Sequence, residues 1–458
     1  MKRNRILLVV ALVLIYWWFF TGNDDSSLNK AYAPAIFIYF CQYLEELVIG
    51  NEAKVPKADY KLKGLAIAFR HGERSPLIEN GVLPDCTAYH DVDRRSFSDY
   101  ESLTEQVEFT QFLQVDPYFK KVELAPQRSK CSIGNLTAEG ALQLVKLGDF
   151  LRTQYVESGV LDASTVVDFQ VSPYRRTFQS AVAFASSFFF PLRQLYPEII
   201  LQAAKTTYFC NEDNCTCPQI EGLRKVFHQD FQERSAIYIR RYPDLSTELQ
   251  AFAKASKMAP FKHPLEFIDV VLGQYACRRQ PLPCFEGKCI STEGIAEASE
   301  AVSSLVREVF SLSKPLRTLY AVESYPILNS VANTIAEIRK DRTSKRVNIF
   351  SGHDITLMPL EFTLGLNITA FPPPYASRLV FEVYEKTDQT TSDVDWLFLR
   401  VLYNGVDHTT NLSFCKTFVD GLCPANAFEK FARSEMLPTF SGEASVSAIC
   451  EREKRSNI

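Results

Sequence analysis

The stretch Leu65–Leu77, LAIAFRHGERSPL, sets five apolar residues directly before Arg70, His71 and Arg74. A short apolar run closed by a polar loop is the pattern of a strand buried on both faces. Two other runs share it. Thr165 to Val171 (TVVDFQV) leads into a loop carrying Arg175 and Arg176. Val347 to Phe350 (VNIF) leads into Ser351, Gly352, His353 and Asp354. Helical spacing fills the intervals. Thr137 is placed to cap a helix with apolar positions Leu144, Leu147, Leu151 and Tyr155, closed by Gly159. A second helix is expected from about Arg176, and a third from about Asp354 to just before Gly365. Strands alternating with helices define an α/β fold with a mostly parallel central sheet flanked by helices.

Two segments depart from that rhythm. Residues 200–330 hold six cysteines and many aromatic and helical stretches with no clear strand pattern, and are expected to form a helical cap insertion over the sheet. Arg378–Glu385 and Trp396–Tyr403 alternate apolar and polar residues, as an antiparallel hairpin on the sheet edge would.

The chain of 458 residues has a net charge of −4, so its composition carries no footprint for binding nucleic acid. Three of its positive charges fall in residues 1–5, immediately before the apolar run Ile6–Phe20. That run ends in Tyr16, Trp17, Trp18, Phe19 and Phe20 rather than in the small residues of a cleavage site. We read residues 6–22 as an uncleaved signal anchor, with residues 1–5 as a cytoplasmic tail; a cleaved signal peptide is the alternative. Residues 23–58 read as a lumenal stem with an element packed on the globular part, and 59–458 as the catalytic domain. Twelve cysteines, all beyond the apolar run, suit disulfides in an oxidising lumen. A zinc site at Cys210, Cys215 and Cys217 is the rival reading, without a C-x-x-C pair to support it. Cys415 and Cys423 are close enough for a local bridge. Asn135, Asn214, Asn367 and Asn411 head N-x-S/T sequons and are candidate glycosylation sites.

In open α/β sheets ligands bind beyond the carboxyl ends of the strands. Here three strand ends would deliver Arg70, His71 and Arg74, then Arg175 and Arg176, then His353 and Asp354. Converging guanidinium forks suit a tetrahedral dianion, and helix N-termini near Arg176 and Asp354 add N–H donors. Like charge from the arginines is expected to keep His71 neutral. A neutral imidazole beside a phosphoryl group can attack phosphorus, and Asp354 is the candidate acid for the leaving alkoxide. Arg175 reads as a solvated charge. No metal or other cofactor is implied.

The sequence Arg70-His71-Gly72-Glu73-Arg74-Ser75-Pro76 resembles the RHGxRxP signature of the histidine acid phosphatases. Ser351-Gly352-His353-Asp354 is similar to the same family's distal HD motif, and Arg176-Thr177 to its middle element. The resemblance implies a phosphoglycerate-mutase-like fold, His71 as nucleophile and Asp354 as proton donor. It also implies a phosphate pocket of Arg70, Arg74, Arg176 and His353. Glu73 occupies the motif's variable position, where it could alter substrate contacts or the surroundings of His71. With the N-terminal anchor and the Cys210–Cys217 cluster, the resemblance points to a Golgi branch of type II membrane proteins. The substrate so implied is a phosphorylated glycan, the 2-phosphate on xylose in the linkage between proteoglycan core protein and glycosaminoglycan. A secreted or lysosomal acid phosphatase of broad specificity, acting on small phosphomonoesters, and a non-catalytic phosphoglycan-binding module are the alternatives.

Overall fold

The computed structural model describes residues 35–456, apart from 45–46, 48, 55–58, 78–84, 130, 213–217, 242, 256–263, 286, 367–371 and 388–395. The apolar run at 6–20, the sequons at Asn214 and Asn367, and Cys215 and Cys217 lie outside the described residues. Among the described residues no helix is long and apolar enough to cross a membrane.

The three apolar runs form the middle of one sheet. They are β1 (Tyr60–Arg70), β3 (Thr165–Val171) and β7 (Lys345–Gly352). Four shorter strands complete the first part of the chain: β2 (Leu113–Val115), β4 (Ile199–Ala203) and the ribbon β5 (Cys284–Phe285) with β6 (Lys288–Cys289). The late strands are β8 (Arg378–Lys386), β9 (Leu397–Tyr403), β10 (Val406–Asp407) and β11 (Cys423–Pro424). The main sheet runs β10-β9-β8-β1-β7-β3-β4-β2, with β11 also on β9. From β1 through β7, β3 and β4 to β2 every pairing is parallel. From β1 outward through β8 and β9 every pairing is antiparallel.

Side chains alternate across β1 with the period of a strand. Leu65, Ile67 and Phe69 face one buried cluster, where Phe69 stacks on Phe184 at 4.9 Å. Ala66 and Ala68 face the other, beneath the helices Lys314–Lys340 and Asp354–Leu364. Small residues on that face let the helix that carries Asp354 pack close to β1.

The Ala138–Glu157 helix starts where its sequence says it should. Thr137 Oγ1 accepts a hydrogen bond from Gly140 N at 2.9 Å, and Gly159 follows with φ +71°. The Asp354–Leu364 helix ends at Gly365, whose φ of +74° costs glycine little.

The late hairpin lies antiparallel on one side of the sheet, as its pattern predicts, but the polar positions of β8 do not face water. Arg378 and Glu382 are 2% and 0% exposed. They point into a second core layer and are neutralised there. Arg378 Nε donates to Glu52 at 2.6 Å, while Glu382 accepts from Tyr155 Oη at 2.8 Å and from Arg400 at 3.2 Å. Alternation reads equally well as a wet face or as a buried paired one, so only packing distinguishes them.

The span 200–330 opens on the end of β4, a strand that its sequence did not announce, because five residues alternating in burial give little periodic signal. It continues with helices Pro218–Arg241, Pro243–Ala255, Pro264–Val271 and Thr292–Leu312. Disulfides Cys41–Cys277, Cys86–Cys131, Cys284–Cys289 and Cys415–Cys423 are formed, and no described cysteine is free. The first joins the short helix Ala35–Cys41 to this helical region.

Candidate active site

The carboxyl ends of β1, β7 and β3 lie side by side. His71 N donates to Gly352 O at 2.9 Å, and Ser172 N donates to Ser351 O at 3.1 Å. The three polar loops therefore meet at one edge of the sheet. A close approach fixes the first loop. A Cβ on Gly72 would lie 2.0 Å from the Gly140 carbonyl oxygen, and one on Gly140 would lie 2.1 Å from the Glu73 oxygen. Both positions require glycine. Glu73 N donates to Gln143 Oε1 at 2.7 Å and Gly72 N to Ser180 Oγ at 3.2 Å, which hold the loop between two helices.

His71 is 1% exposed. Its Nδ1 lies 2.7 Å from the Gly72 carbonyl oxygen. A carbonyl can only accept, so Nδ1 carries the ring proton and the lone pair is on Nε2. Burial, more than like charge, pushes the imidazole well below its usual range; Arg176, Arg70, His353 and Arg74 add to it. The expectation of a neutral ring holds, with desolvation as its principal cause.

His353 is held by a relay. Its Nε2 lies 2.8 Å from Ser172 Oγ, Ser172 Oγ donates to Thr177 Oγ1 at 3.0 Å, and Thr177 Oγ1 donates to the Ser172 carbonyl at 2.8 Å. The relay places the ring proton on Nε2 and leaves Nδ1 to accept from Arg176 Nη2 at 3.3 Å. Burial first, then Arg176, lowers the basicity of this ring too. The two imidazoles stand edge to face with centroids 5.5 Å apart.

Three arginines surround the pair. Arg70 Nη2 meets Asp354 Oδ2 at 3.0 Å, with its guanidinium 4.3 Å over the Tyr375 ring and a further donation to the Pro373 carbonyl. Arg74 Nη2 meets Asp269 Oδ1 at 2.8 Å. Burial works against the Arg74 charge, and Asp269 more than restores it. Arg176 lies 4.8 Å over the Tyr174 ring. Burial and the neighbouring Arg74 bring its guanidinium down to about 10, a sign of cations crowded beyond what the local carboxylates balance. The Nε–H groups of Arg70, Arg74 and Arg176 are all buried without a hydrogen-bond partner. A buried donor left unpaired costs about 1–3 kcal/mol, so three around one point call for an anionic ligand.

Asp354 starts its helix beside Arg70. Burial alone would raise its carboxyl; Arg70 and then Arg74 outweigh burial and hold it at about 2.

Not every residue flagged in the sequence converges here. Arg175 pairs with Glu123 at the surface and lies outside the cluster. Glu73 is 1% exposed and faces away from the arginines, toward Arg278 at 2.8 Å. Asn411 is exposed, whereas Asn135 is half-buried and its backbone is stitched to Ser75. Sequence reasoning missed Asp269, Tyr375 and Ser172. Asp269 comes from the helical region and has no local motif. Tyr375 follows Pro372, Pro373 and Pro374, a run that shows an extended chain but not where it leads. Ser172 stood at an identified strand end and was the one within reach.

The fold and this cluster define an α/β protein whose parallel strand ends carry a pocket of crowded cations suited to an anion. The chain belongs to the histidine phosphatase superfamily (branch 2), whose family model matches residues 61–404. A Danio rerio protein named 2-phosphoxylose phosphatase 1 is 28% identical over 439 residues, covering 87% of this chain and 83% of its own. The Homo sapiens protein of that name is 25% identical, covering 86% and 82%. Among solved structures, the apo form of a Bifidobacterium longum multiple inositol polyphosphate phosphatase shares the fold at a TM-score of 0.51 and 13% identity, covering 87% of this chain and 98% of that one. The protein is a phosphoric monoester hydrolase.

Proposed function

We propose that hydrolysis proceeds through a phosphohistidine on His71. The observation that carries this reading is a neutral, Nε2-nucleophilic imidazole set among three arginines whose buried Nε–H groups have no partner. Arg70, Arg74, Arg176 and His353 take the phosphoryl oxygens. His71 Nε2 attacks phosphorus as the ester P–O bond breaks, and Asp354 gives its proton to the departing alkoxide. Water then adds its oxygen to phosphorus as the N–P bond breaks, and its proton returns to Asp354. A bound phosphate dianion offsets Arg70 and Arg74, the charges that keep Asp354 ionised in the free enzyme. Substrate binding thereby raises the carboxyl toward the range in which it can act as an acid.

The relatives' name supports the 2-phosphate of xylose in the glycosaminoglycan–protein linkage as the substrate. On that reading residues 6–22 anchor the enzyme in the Golgi membrane, 1–5 are cytoplasmic, and 23–58 form a lumenal stem whose later part, with Cys41 bonded to Cys277 and Glu52 buried against Arg378, packs on the globular part. Residues 59–458 are then the catalytic domain, with a cap at about 200–330. The test is to incubate the purified protein with a 2-phosphoxylosyl linkage oligosaccharide beside glycerol phosphate and inositol phosphates. Phosphate release at least tenfold faster from the linkage oligosaccharide supports the reading; equal rates on all substrates support a broad acid phosphatase.

A further inference from the structure

To hold a phosphoryl oxygen, His353 must donate a hydrogen bond, and in the free enzyme its ring is set the wrong way round for that. The Nε2–H is committed to Ser172 Oγ at 2.8 Å, and Nδ1 is the acceptor that faces Arg176 Nη2 at 3.3 Å. A phosphoryl oxygen that draws Arg176 to itself would leave the Nδ1 lone pair facing another acceptor. Turning the ring over is not the remedy. The ring is 1% exposed and stands edge to face with His71 at 5.5 Å and with Tyr174 at 4.9 Å. A flip would also take Nε2 away from Ser172.

The hydroxyl relay behind the ring offers another route. Ser172 and Thr177 are fully buried. Ser172 Oγ lies between His353 Nε2 and Thr177 Oγ1, the latter at 3.0 Å. Thr177 Oγ1 lies 2.8 Å from the Ser172 carbonyl oxygen and 2.9 Å from that of Tyr174. Each hydroxyl can both donate and accept, so the relay can run in either direction. Running outward, Nε2–H donates to Ser172, Ser172 to Thr177, and Thr177 to a carbonyl. Running inward, Thr177 donates to Ser172, and Ser172 donates to a bare Nε2. The inward direction orphans no carbonyl. The Ser172 oxygen still accepts from Tyr174 N at 2.7 Å, and the Tyr174 oxygen from Phe178 N at 3.0 Å.

We propose that phosphate binding reverses this relay, with Ser172 as the positioning residue that lets His353 change tautomer and present Nδ1–H to a phosphoryl oxygen. The inference rests on the phosphomonoesterase reading above. The ring gives the Nε2 proton to water and takes one from water on Nδ1, so its charge is unchanged. The two hydroxyls rotate and break no bond. Phosphate selects the Nδ1–H form because that form alone offers it a donor.

The test is nitrogen NMR of the full-length protein labelled with 15N-histidine. His353 is assigned by the resonances missing from His353→Gln. Without ligand its proton should be on Nε2, and with saturating inorganic phosphate it should be on Nδ1. A proton that stays on Nε2, or protons on both nitrogens, overturns the inference while leaving the phosphatase reading intact. A protein that hydrolyses no nitrophenyl phosphate overturns that reading itself. Thr177→Val removes the acceptor that draws the Ser172 hydroxyl away from the ring. In that variant His353 should carry its proton on Nδ1 before any phosphate is added, a shift that lost packing alone would not produce. A proton still on Nε2 there would overturn the role given to the relay. Should the variant not fold, the two wild-type spectra decide the question.

Discussion

Glu73 Oε1 and Arg278 Nη1 lie 2.8 Å apart, joining the variable position of the catalytic loop to the residue after a cysteine disulfide-bonded to Cys41. Glu73 also accepts from Thr137 Oγ1 at 3.3 Å, and Arg278 also donates to the Thr87 carbonyl. The pair is a buried tie between the loop and the helical region. The carboxylate's partners are Arg278 and Thr137 rather than the arginines of the site. Glu73→Ala would leave Arg278 with an uncompensated buried charge, at about 3–5 kcal/mol. The expected outcome is a lower Tm and urea midpoint, with kcat on a small aryl phosphate within a few-fold of wild type. A large loss of kcat at unchanged stability would contradict the structural role.

His71→Ala removes the nucleophile. The expected loss in kcat is at least a thousandfold on an aryl phosphate. Acid-sensitive, base-stable labelling of wild-type protein by a radioactive substrate, absent from the variant, is the accompanying measurement. Persistent activity near wild type would reject the covalent route.

Asp354→Asn removes the proton but not the shape. Good leaving groups need no acid and poor ones do. The variant should therefore lose at least tenfold more kcat on an alkyl than on a nitrophenyl ester. Equal losses would assign Asp354 to orienting Arg70 alone.

The pH dependence follows from the direction of the His71 shift. Its pKa is held well below the ordinary 6.5, so the neutral form prevails above that lowered value. Lowering the pH through 6.5 should not protonate the nucleophile, and kcat/KM should not fall with an apparent pKa near 6.5 on the acid side. An NMR titration of His71 in that ordinary range would contradict the burial argument.

Glu361 supplies an independent check on stability. It is 5% exposed, its Oε1 has no partner, and burial pushes its carboxyl up to about 8. A raised carboxyl contributes fully below its unfolded value of 4.5, and that contribution is lost as the pH rises toward 8. Glu361→Gln should therefore raise Tm relative to wild type at pH 8 and change it little at pH 4.5. Parallel Tm curves for the two proteins would refute this.

Much of the site was legible without coordinates, because its chemistry is local. Arg70, His71 and Arg74 sit on one short loop, and His353 and Asp354 are adjacent. Each group directly follows an apolar run, and a buried strand announces itself by composition. A parallel sheet then brings such strand ends together. The sequence alone determined that Arg70, His71, Arg74, Arg176, His353 and Asp354 meet, the α/β class, and the start of the helix at Thr137. Tertiary structure decided what surrounds them. The ring nitrogen of His71 that keeps its proton depends on a carbonyl 2.7 Å away. The partner of Arg74 comes from Asp269, nearly two hundred residues on, and the aromatic face under Arg70 comes from Tyr375. Glu73, one residue from the glycine beside the nucleophile, is turned from a candidate substrate contact into a structural tie by Arg278. These outcomes rest on burial and on contacts between residues far apart in the chain, and local pattern carries no record of either.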